Sequence, residues 1–419
     1  MNKKSFVINF ISIFLYFFLL LGFFWGEDLN GGAKPDFYSY IDTAELFSND
    51  FINTFLNYDE RNDRHSPVTI ILISQLIKLE FSIVSIRLIG LHISLLIIVI
   101  FYKCLKIKFQ SVDSFYLKLL TLLFFLSPTF RALSIWPDSR IYGLLFFILS
   151  SFYFLKFTYK NKNFLYVFLN TLYLSISSYF SPNFSLFSLY YAFYFFVYYR
   201  LSIFFIYYII FNLLLAFPAF YYLFVLDVFF LGSANTPASQ NFNFNFFSLE
   251  NFSNKILIIL SIIFFYFLPI LFHDYEKIRD FFIKEFKSLK FFLLIIFFLL
   301  NIFYFNYEPI FTGGGIFFQI SNFIFGNNIL FYFVTFFAFY FFLIKNFSLN
   351  NILILIILIA SNPQLTIYHK YYDPLVLYLF FTMFNLKIDR EYFTIKNISL
   401  WYIFYGVFII LSIYKIKYI

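Results

Sequence analysis

Long apolar runs alternate with short polar islands along this chain, and the runs repeatedly approach the roughly 20 residues that a helix needs to cross a bilayer. These runs do not alternate apolar and polar positions with the period of two that a spanning β-barrel strand requires. The pattern predicts an all-α polytopic membrane protein. The first run covers about 6–25, just after Lys3 and Lys4; it is long for a secretory leader and no small-x-small cleavage site follows, so it reads as a retained span. Further spans are expected at about 82–102, 115–133, 139–158, 163–180, 184–199, 201–224, 255–272, 291–306, 329–344, 350–361, 374–386 and 399–414. Residues 66–80 are apolar but short, bounded by His65-Ser66-Pro67 and Lys78, and read as a juxtamembrane or re-entrant helix.

Basic residues orient these spans, because Lys and Arg collect in cytoplasmic loops. Lys103, Lys106 and Lys108, then Lys156, Lys160 and Lys162, and the charged stretch 273–290 are expected inside. Three polar clusters then fall together on the extracytoplasmic side, at 34–65, 131–140 and 368–374. The same alternation leaves the C-terminus outside, against the sign of Lys415 and Lys417.

Composition agrees with the pattern. Of 419 residues, 62% are hydrophobic and 12% charged, about half the charged content of a soluble domain. The 76 Phe and 36 Tyr are read mainly as a bias that fills lipid-facing positions. The net charge of +8 is interspersed, with no basic tail, and reflects cytoplasmic Lys and Arg, not a nucleic-acid surface. Cys104 is the only cysteine, so no disulfide forms within the chain.

The polar island at 34–67 carries the candidate chemistry. Pro35 suits the first turn of a helix. In that helix Asp36, Tyr40, Thr43 and Phe47 share one face, while Tyr38, Asp42 and Glu45 share another. Asp36 and Asp42 therefore point apart, which argues against a carboxylate pair; capping and dipole compensation are the alternative role for Asp36. In the second cluster, Asp138 stands before a span it would cap, and Arg131, Trp136 and Arg140 also suit a membrane interface. In the third, Lys370 lies among Tyr368, Tyr371 and Tyr372 before Pro374, placed either to hold a lipid phosphate or to form an interfacial belt. The four histidines, His65, His92, His273 and His369, lack the spacing of a helical zinc site. Gly313-Gly314-Gly315 reads as a flexible loop, and so does the Asn-Phe alternation at 241–247.

The order of these features resembles the membrane glycosyltransferases of the GT-C fold, closest to the bacterial dolichyl-phosphate-mannose-transferase and lipid A aminoarabinose-transferase group. Those enzymes carry an Asp-x-x-x-Tyr-x-x-x-Ala helix in the first outer loop, matched by Asp36, Tyr40 and Ala44. A basic-polar-Pro step follows, matched by Arg64-His65-Ser66-Pro67, and then an Arg-Leu pair, matched by Arg87-Leu88. Ser127-Pro128 before Asp138, and Lys370-Tyr371-Tyr372-Asp373-Pro374 with one residue of slack, complete the series. The ordered match covers about 1–200, with a weaker echo at 362–386. It departs from the family at Phe37, where an acidic residue is common, in the missing second proline after Pro67, and around Trp136-Pro137-Asp138.

The resemblance implies a GT-C-like bundle of about 11–13 transmembrane helices, with juxtamembrane helices in the first extracytoplasmic loop. It implies a GT-C-type module at 1–224 with an active-site loop at 26–81, followed by a variable transmembrane region at 225–419. It further implies inverting transfer of a sugar from a polyprenyl-phosphate carrier to a lipid, glycan or protein acceptor, outside a bacterial inner membrane. In that scheme Asp36 is the base, supported by Tyr40, Asp42 and Asp138. Arg64, Arg87, Arg131, Arg140 and Lys370 are the cations for the donor phosphate. Membrane lipids are the other expected partners, and nucleic acid is not one. No cofactor is required; a divalent metal is compatible with the chemistry but not indicated by ligand spacing. An O-antigen polymerase or ligase is an alternative, weakened because the loop 225–253 holds neither Arg nor His. A lipid-linked-glycan flippase is another, disfavoured because charge sits at one surface and no repeat halves are evident.

Overall fold

The computed structural model describes residues 3–29, 32–58, 66–224, 248–273, 275–308, 313–361, 366–386, 388 and 390–418. Among them the chain is all helix, without strands, and it divides into two compact units, 1–233 with 389–419, and 234–388.

The first unit opens with α1 (Lys3–Trp25). The expected loop is largely helical: α2 (Ala33–Asn49), α3 (Phe51–Leu56) and α4 (Pro67–Lys78). Then come α5 (Ile83–Lys108), α6 (Ser114–Thr121), α7 (Pro128–Ile135), α8 (Ser139–Tyr159), α9 (Phe164–Phe180), α10 (Phe187–Tyr199) and α11 (Ile203–Phe224). The second unit contains α12 (Leu249–His273), α13 (Tyr275–Glu285), α14 (Leu289–Phe303), α15 (Gly315–Phe325), α16 (Ile329–Tyr340), α17 (Leu349–Ala360) and α18 (Leu375–Thr382). The last helix, α19 (Ile395–Tyr418), belongs to the first unit.

Among the described residues, six helices are long and apolar enough to cross a membrane: α1, α5, α8, α11, α12 and α19. A seventh span results if 114–126 and 128–135 count as one crossing, bent by 66°. The chain is thus a multi-pass membrane protein. Other expected spans among the described residues form shorter apolar helices of 10–17 residues. Asn346-Phe347-Ser348, for example, separates α16 and its π turn from α17, and the Ser348 hydroxyl caps α17 by accepting from the Asn351 amide. At 1.5 Å per residue, the 12 residues of α17 reach about 18 Å, short of a hydrocarbon core of about 30 Å. The same arithmetic applies to the 12 residues of α4 and is consistent with a juxtamembrane or re-entrant helix.

Each end of α1 is tied within the unit. At its start, Lys4 pairs with Asp113 at 2.6 Å. Its end is a Schellman turn: the Glu27 amide donates to Gly22 O at 2.9 Å, and the amide of Gly26, at φ 66°, donates to Phe23 O at 3.2 Å. α2 then starts at Gly32, at φ 114°, with the Asp28 carboxylate accepting from the Gly32 and Lys34 amides at 3.0 and 3.1 Å. This helix packs against α4 and buries Phe37, Tyr40, Ile41, Thr43, Ala44 and Phe47. Tyr38, Asp42 and Glu45 are exposed, as the spacing requires.

Small residues set the closest helix approaches, the usual device where lipid supplies no hydrophobic drive. A Cβ at Gly143 would lie 2.8 Å from the Ser181 side chain, and the nearby Ser177 hydroxyl donates to Gly143 O at 2.7 Å. On the α1–α5 side, His92 contacts Tyr16 OH through Nε2 at 3.0 Å and Leu88 O through Nδ1 at 2.8 Å.

The expected C-terminal region, 225–419, is not one packing unit. Ile398 of α19 joins Ile8, Phe115 and Leu119 in one apolar cluster, and Tyr402 donates to Leu119 O at 2.8 Å. In the second unit α12 is apolar all round and buries most of its length. Its Phe267 ring meets Phe341, Phe342 and Phe380 at 4.7, 4.6 and 4.4 Å between centroids. Gly313-Gly314-Gly315, expected as a flexible loop, is a tight connection. The Gly314 amide donates to Ile367 O at 2.9 Å, and a Cβ on Gly315 would press on Ile262 at 2.7 Å. The Asn-Phe segment 241–247 lies outside the described residues.

Candidate active site

Two of the three polar clusters meet within the first unit. Asp138 ends the connection from α7 and caps α8, its Oδ1 accepting from the Arg140 amide at 2.7 Å. The Arg140 side chain folds back on the same carboxylate, Nε to Oδ1 at 2.9 Å and an NH2 group to Oδ2 at 2.7 Å. Asp138 is 0% exposed, so the charge is tolerated only because cation, backbone amide and the Ser139 hydroxyl at 3.4 Å surround it. The same NH2 group reaches Asp36 Oδ2 on α2 at 3.3 Å. Asp36 and Arg140 keep 21% and 18% of their side chains exposed. Asp36, Asp138 and Arg140 thus form a charged triad between α2 and the start of α8.

Tyr40 stands one turn after Asp36, fully buried, with its hydroxyl 3.3 Å from Ser139 Oγ. Burial, and next the Asp138 carboxylate, push its phenol well above the usual range, so it remains a neutral hydrogen-bonding group. Asp42 is exposed on the opposite face of α2, with no ion-pair partner among the described residues. The structure therefore brings Asp36, Tyr40, Asp138 and Arg140 together and leaves Asp42 out.

The other cations have different surroundings. Arg131, expected to meet the donor phosphate, is 0% exposed and clamped by Glu27 through Nε and NH2, both at 2.6 Å. It also donates to Phe18 O at 3.1 Å and Phe125 O at 3.3 Å. This buried bidentate pair joins α7 to the end of α1, and it is a structural clamp, not a phosphate-facing group. Gly22 makes it fit: a Cβ there would overlap the Glu27 carboxylate and come within 2.7 Å of the Arg131 guanidinium.

Arg87 is half-buried and donates to Ile135 O at 3.0 Å and Phe23 O at 3.3 Å. Its guanidinium lies 3.6 Å from the Trp136 ring centroid, a close cation–π contact. Trp136 in turn donates to Glu27 O at 2.9 Å and packs against Phe37 and Tyr38 at 5.9 and 5.7 Å. Arg87 thus supports the turn that presents Asp138. Gly90 completes the support, because a Cβ there would collide with the Pro137 ring. Arg64 lies outside the described residues. Lys370 belongs to the second unit, where its ammonium stands 5.4 Å from the Tyr368 ring; nearby, His369 Nε2 and Tyr266 OH are 2.8 Å apart.

Among the described residues no three His, Cys, Asp or Glu side chains converge as a metal site would need. The reading from residue patterns passed over Glu27, Ser139 and Gly90. A carboxylate immediately after an apolar span was the available signal for Glu27; Ser139 and Gly90 carried none. Compared with family models, curated proteins and solved structures, the chain shows no match.

Proposed function

We propose that this chain is an inverting glycosyltransferase of the GT-C type, moving a sugar from a polyprenyl-phosphate carrier to an acceptor hydroxyl on the extracytoplasmic face of a bacterial inner membrane. The observation that carries this reading is the solvent-facing carboxylate of Asp36, oriented by Arg140 and the buried Asp138. Together with Tyr40 it stands on the helix whose Asp36, Tyr40 and Ala44 spacing resembles that family.

In this mechanism the acceptor oxygen attacks the anomeric carbon while Asp36 takes its proton. The bond from the anomeric carbon to the phosphate oxygen breaks, and the electron pair leaves with the polyprenyl phosphate. Fixed cations stabilise the charge that develops on that oxygen; Arg140, beside Asp36, is the residue assigned to this role. Tyr40, kept neutral, fixes Ser139 and through it the first turn of α8.

The test is transfer of a radiolabelled polyprenyl-phosphate sugar in proteoliposomes. Asp36→Asn is expected to abolish transfer while expression and membrane insertion stay normal. Full activity of Asp36→Asn would remove Asp36 from the mechanism.

A further inference from the structure

Positive charge collects at one end of α8, α9, α10 and α11, and these helices hold no negative charge to balance it. No Asp or Glu occurs anywhere from 139 to 226, whereas exposed Lys160 and Lys162 lie between α8 and α9, and exposed Arg200 between α10 and α11. The two turns are neighbours. The Lys162 ammonium stands 5.3 Å from the Tyr198 ring, and the Phe164 ring meets Tyr199 at 6.1 Å and Phe204 at 5.4 Å. Lys156 is within electrostatic reach of Lys160 and of Lys103 on α5. Among the described residues no carboxylate pairs with Lys160, Lys162 or Arg200. Lys162 gives one of its three ammonium donors to Thr158 O, at 3.4 Å.

From this basic end a groove runs between α9 and α11. Its walls include Phe164, Phe168 and Thr171 of α9 and Tyr208, Phe211 and Leu214 of α11, and its volume is about 270 Å³. Both helices start at the basic end, so the groove leads away from the cations; residues 164–171 rise about 10 Å at 1.5 Å per residue. Its buried hydroxyls are already used within the protein, Thr171 donating to Val167 O at 3.0 Å and Tyr208 to Ser188 O at 3.5 Å. That wall therefore suits a hydrocarbon. α11 is the least buried of the six spanning helices, which leaves the groove on the side where lipid chains lie. An apolar slot that begins at an uncompensated basic rim is complementary to a lipid with an anionic headgroup. A neutral phospholipid would leave the rim unbalanced. A second copy in a two-fold contact would set the same cations against each other.

We infer that the groove between α9 and α11 binds an anionic phospholipid, with its phosphate on Lys162 and Arg200 and an acyl chain along Phe168 and Phe211. This site shares no residue with the Asp36 triad and does not depend on the reaction proposed for it.

The test uses the full-length protein in nanodiscs and two lipids with identical chains, each carrying a diazirine in one chain. Phosphatidylglycerol is the anionic probe and phosphatidylcholine the neutral one. After photolysis, peptide mass spectrometry counts the adducts. On 164–171 and 207–214, phosphatidylglycerol adducts are expected to exceed phosphatidylcholine adducts by about fivefold, the scale of one basic residue at an anionic lipid surface. Lys162→Gln with Arg200→Gln is expected to remove the preference, and Lys162→Arg with Arg200→Lys to keep it. Lys284→Gln with Lys287→Gln removes the same charge at the end of α13 and is expected to leave the preference intact. Leu214→Trp narrows the groove from an exposed position and is expected to lower the adducts on 164–171. Equal adducts from the two lipids, the mark of ordinary boundary contact, overturn the inference. So do a preference that survives Lys162→Gln with Arg200→Gln, one lost equally in the conservative or the α13 pair, and adducts undiminished by Leu214→Trp. A dimer in native mass spectrometry whose cross-links map to α11 assigns the face to a second copy and overturns it as well.

Discussion

The Glu27–Arg131 clamp offers the sharpest test of how this fold is held. Arg131 is fully buried, and its guanidinium is satisfied by two 2.6 Å bonds to Glu27 and two carbonyl contacts. Glu27→Ala leaves that cation buried with only the carbonyls of Phe18 and Phe125. Hydrogen bonds to charged groups contribute about 1.5–3 kcal/mol each, and breaking a buried pair from one side costs about 3–5 kcal/mol. A loss of about 3–5 kcal/mol is therefore expected for Glu27→Ala. Removing both charges in Glu27→Ala with Arg131→Met should cost much less, since no orphan charge is left. The measurement is a double-mutant cycle on unfolding of the detergent-solubilised protein, followed by tryptophan fluorescence, because Trp136 donates to Glu27 O beside the clamp. A Glu27→Ala loss below about 1 kcal/mol, the scale of an exposed pair, would refute the reasoning. So would a double variant as unstable as the single one.

Other outcomes follow from the same geometry. Gly90→Ala should displace the Pro137 ring and move Asp138 and Arg140, lowering kcat for transfer at least tenfold while the protein still elutes as a folded species on size exclusion. Gly22→Ala should reproduce the instability of Glu27→Ala and add little to it, as shared disruption of one clamp requires. Asp113 has its carboxyl lowered, first by its hydrogen bond from Lys4 and then by the Phe115 amide. Its contribution to stability is therefore fully present above the unfolded value of about 3.9 and is lost as pH falls through the lower folded value. Asp113→Asn should flatten that acid limb in hydrogen exchange at the start of α1, and an unchanged limb would exclude the link.

Much of the polar face of α2 was legible in advance because helical period is a local property. Asp36, Tyr40 and Phe47 sit on one side and Asp42 on the other simply because a helix turns every 3.6 residues. The caps were also readable, since the Ser127 hydroxyl and the Asp138 carboxylate accept from amides within three residues of themselves. The roles of the arginines were not. Arg87, Arg131 and Arg140 have the same chemistry and similar settings in the chain, yet one stacks on Trp136, one is clamped by Glu27 and one bridges two aspartates. Which carboxylate reaches which guanidinium depends on partners up to 104 positions away.

Apolar run length and residue chemistry by themselves determined that this is an all-helical, multi-pass membrane protein, because burial in lipid demands backbone bonds made within each segment. They also singled out the islands around Asp36 and Asp138. Tertiary structure decided how many of the described helices are long enough to span. It decided that α19 packs with the first helices, and that Asp36 and Asp138 meet at Arg140. The physical reason is the same in each case: hydropathy and period act over a few residues, whereas pairing a buried charge is settled only where separate helices close around it.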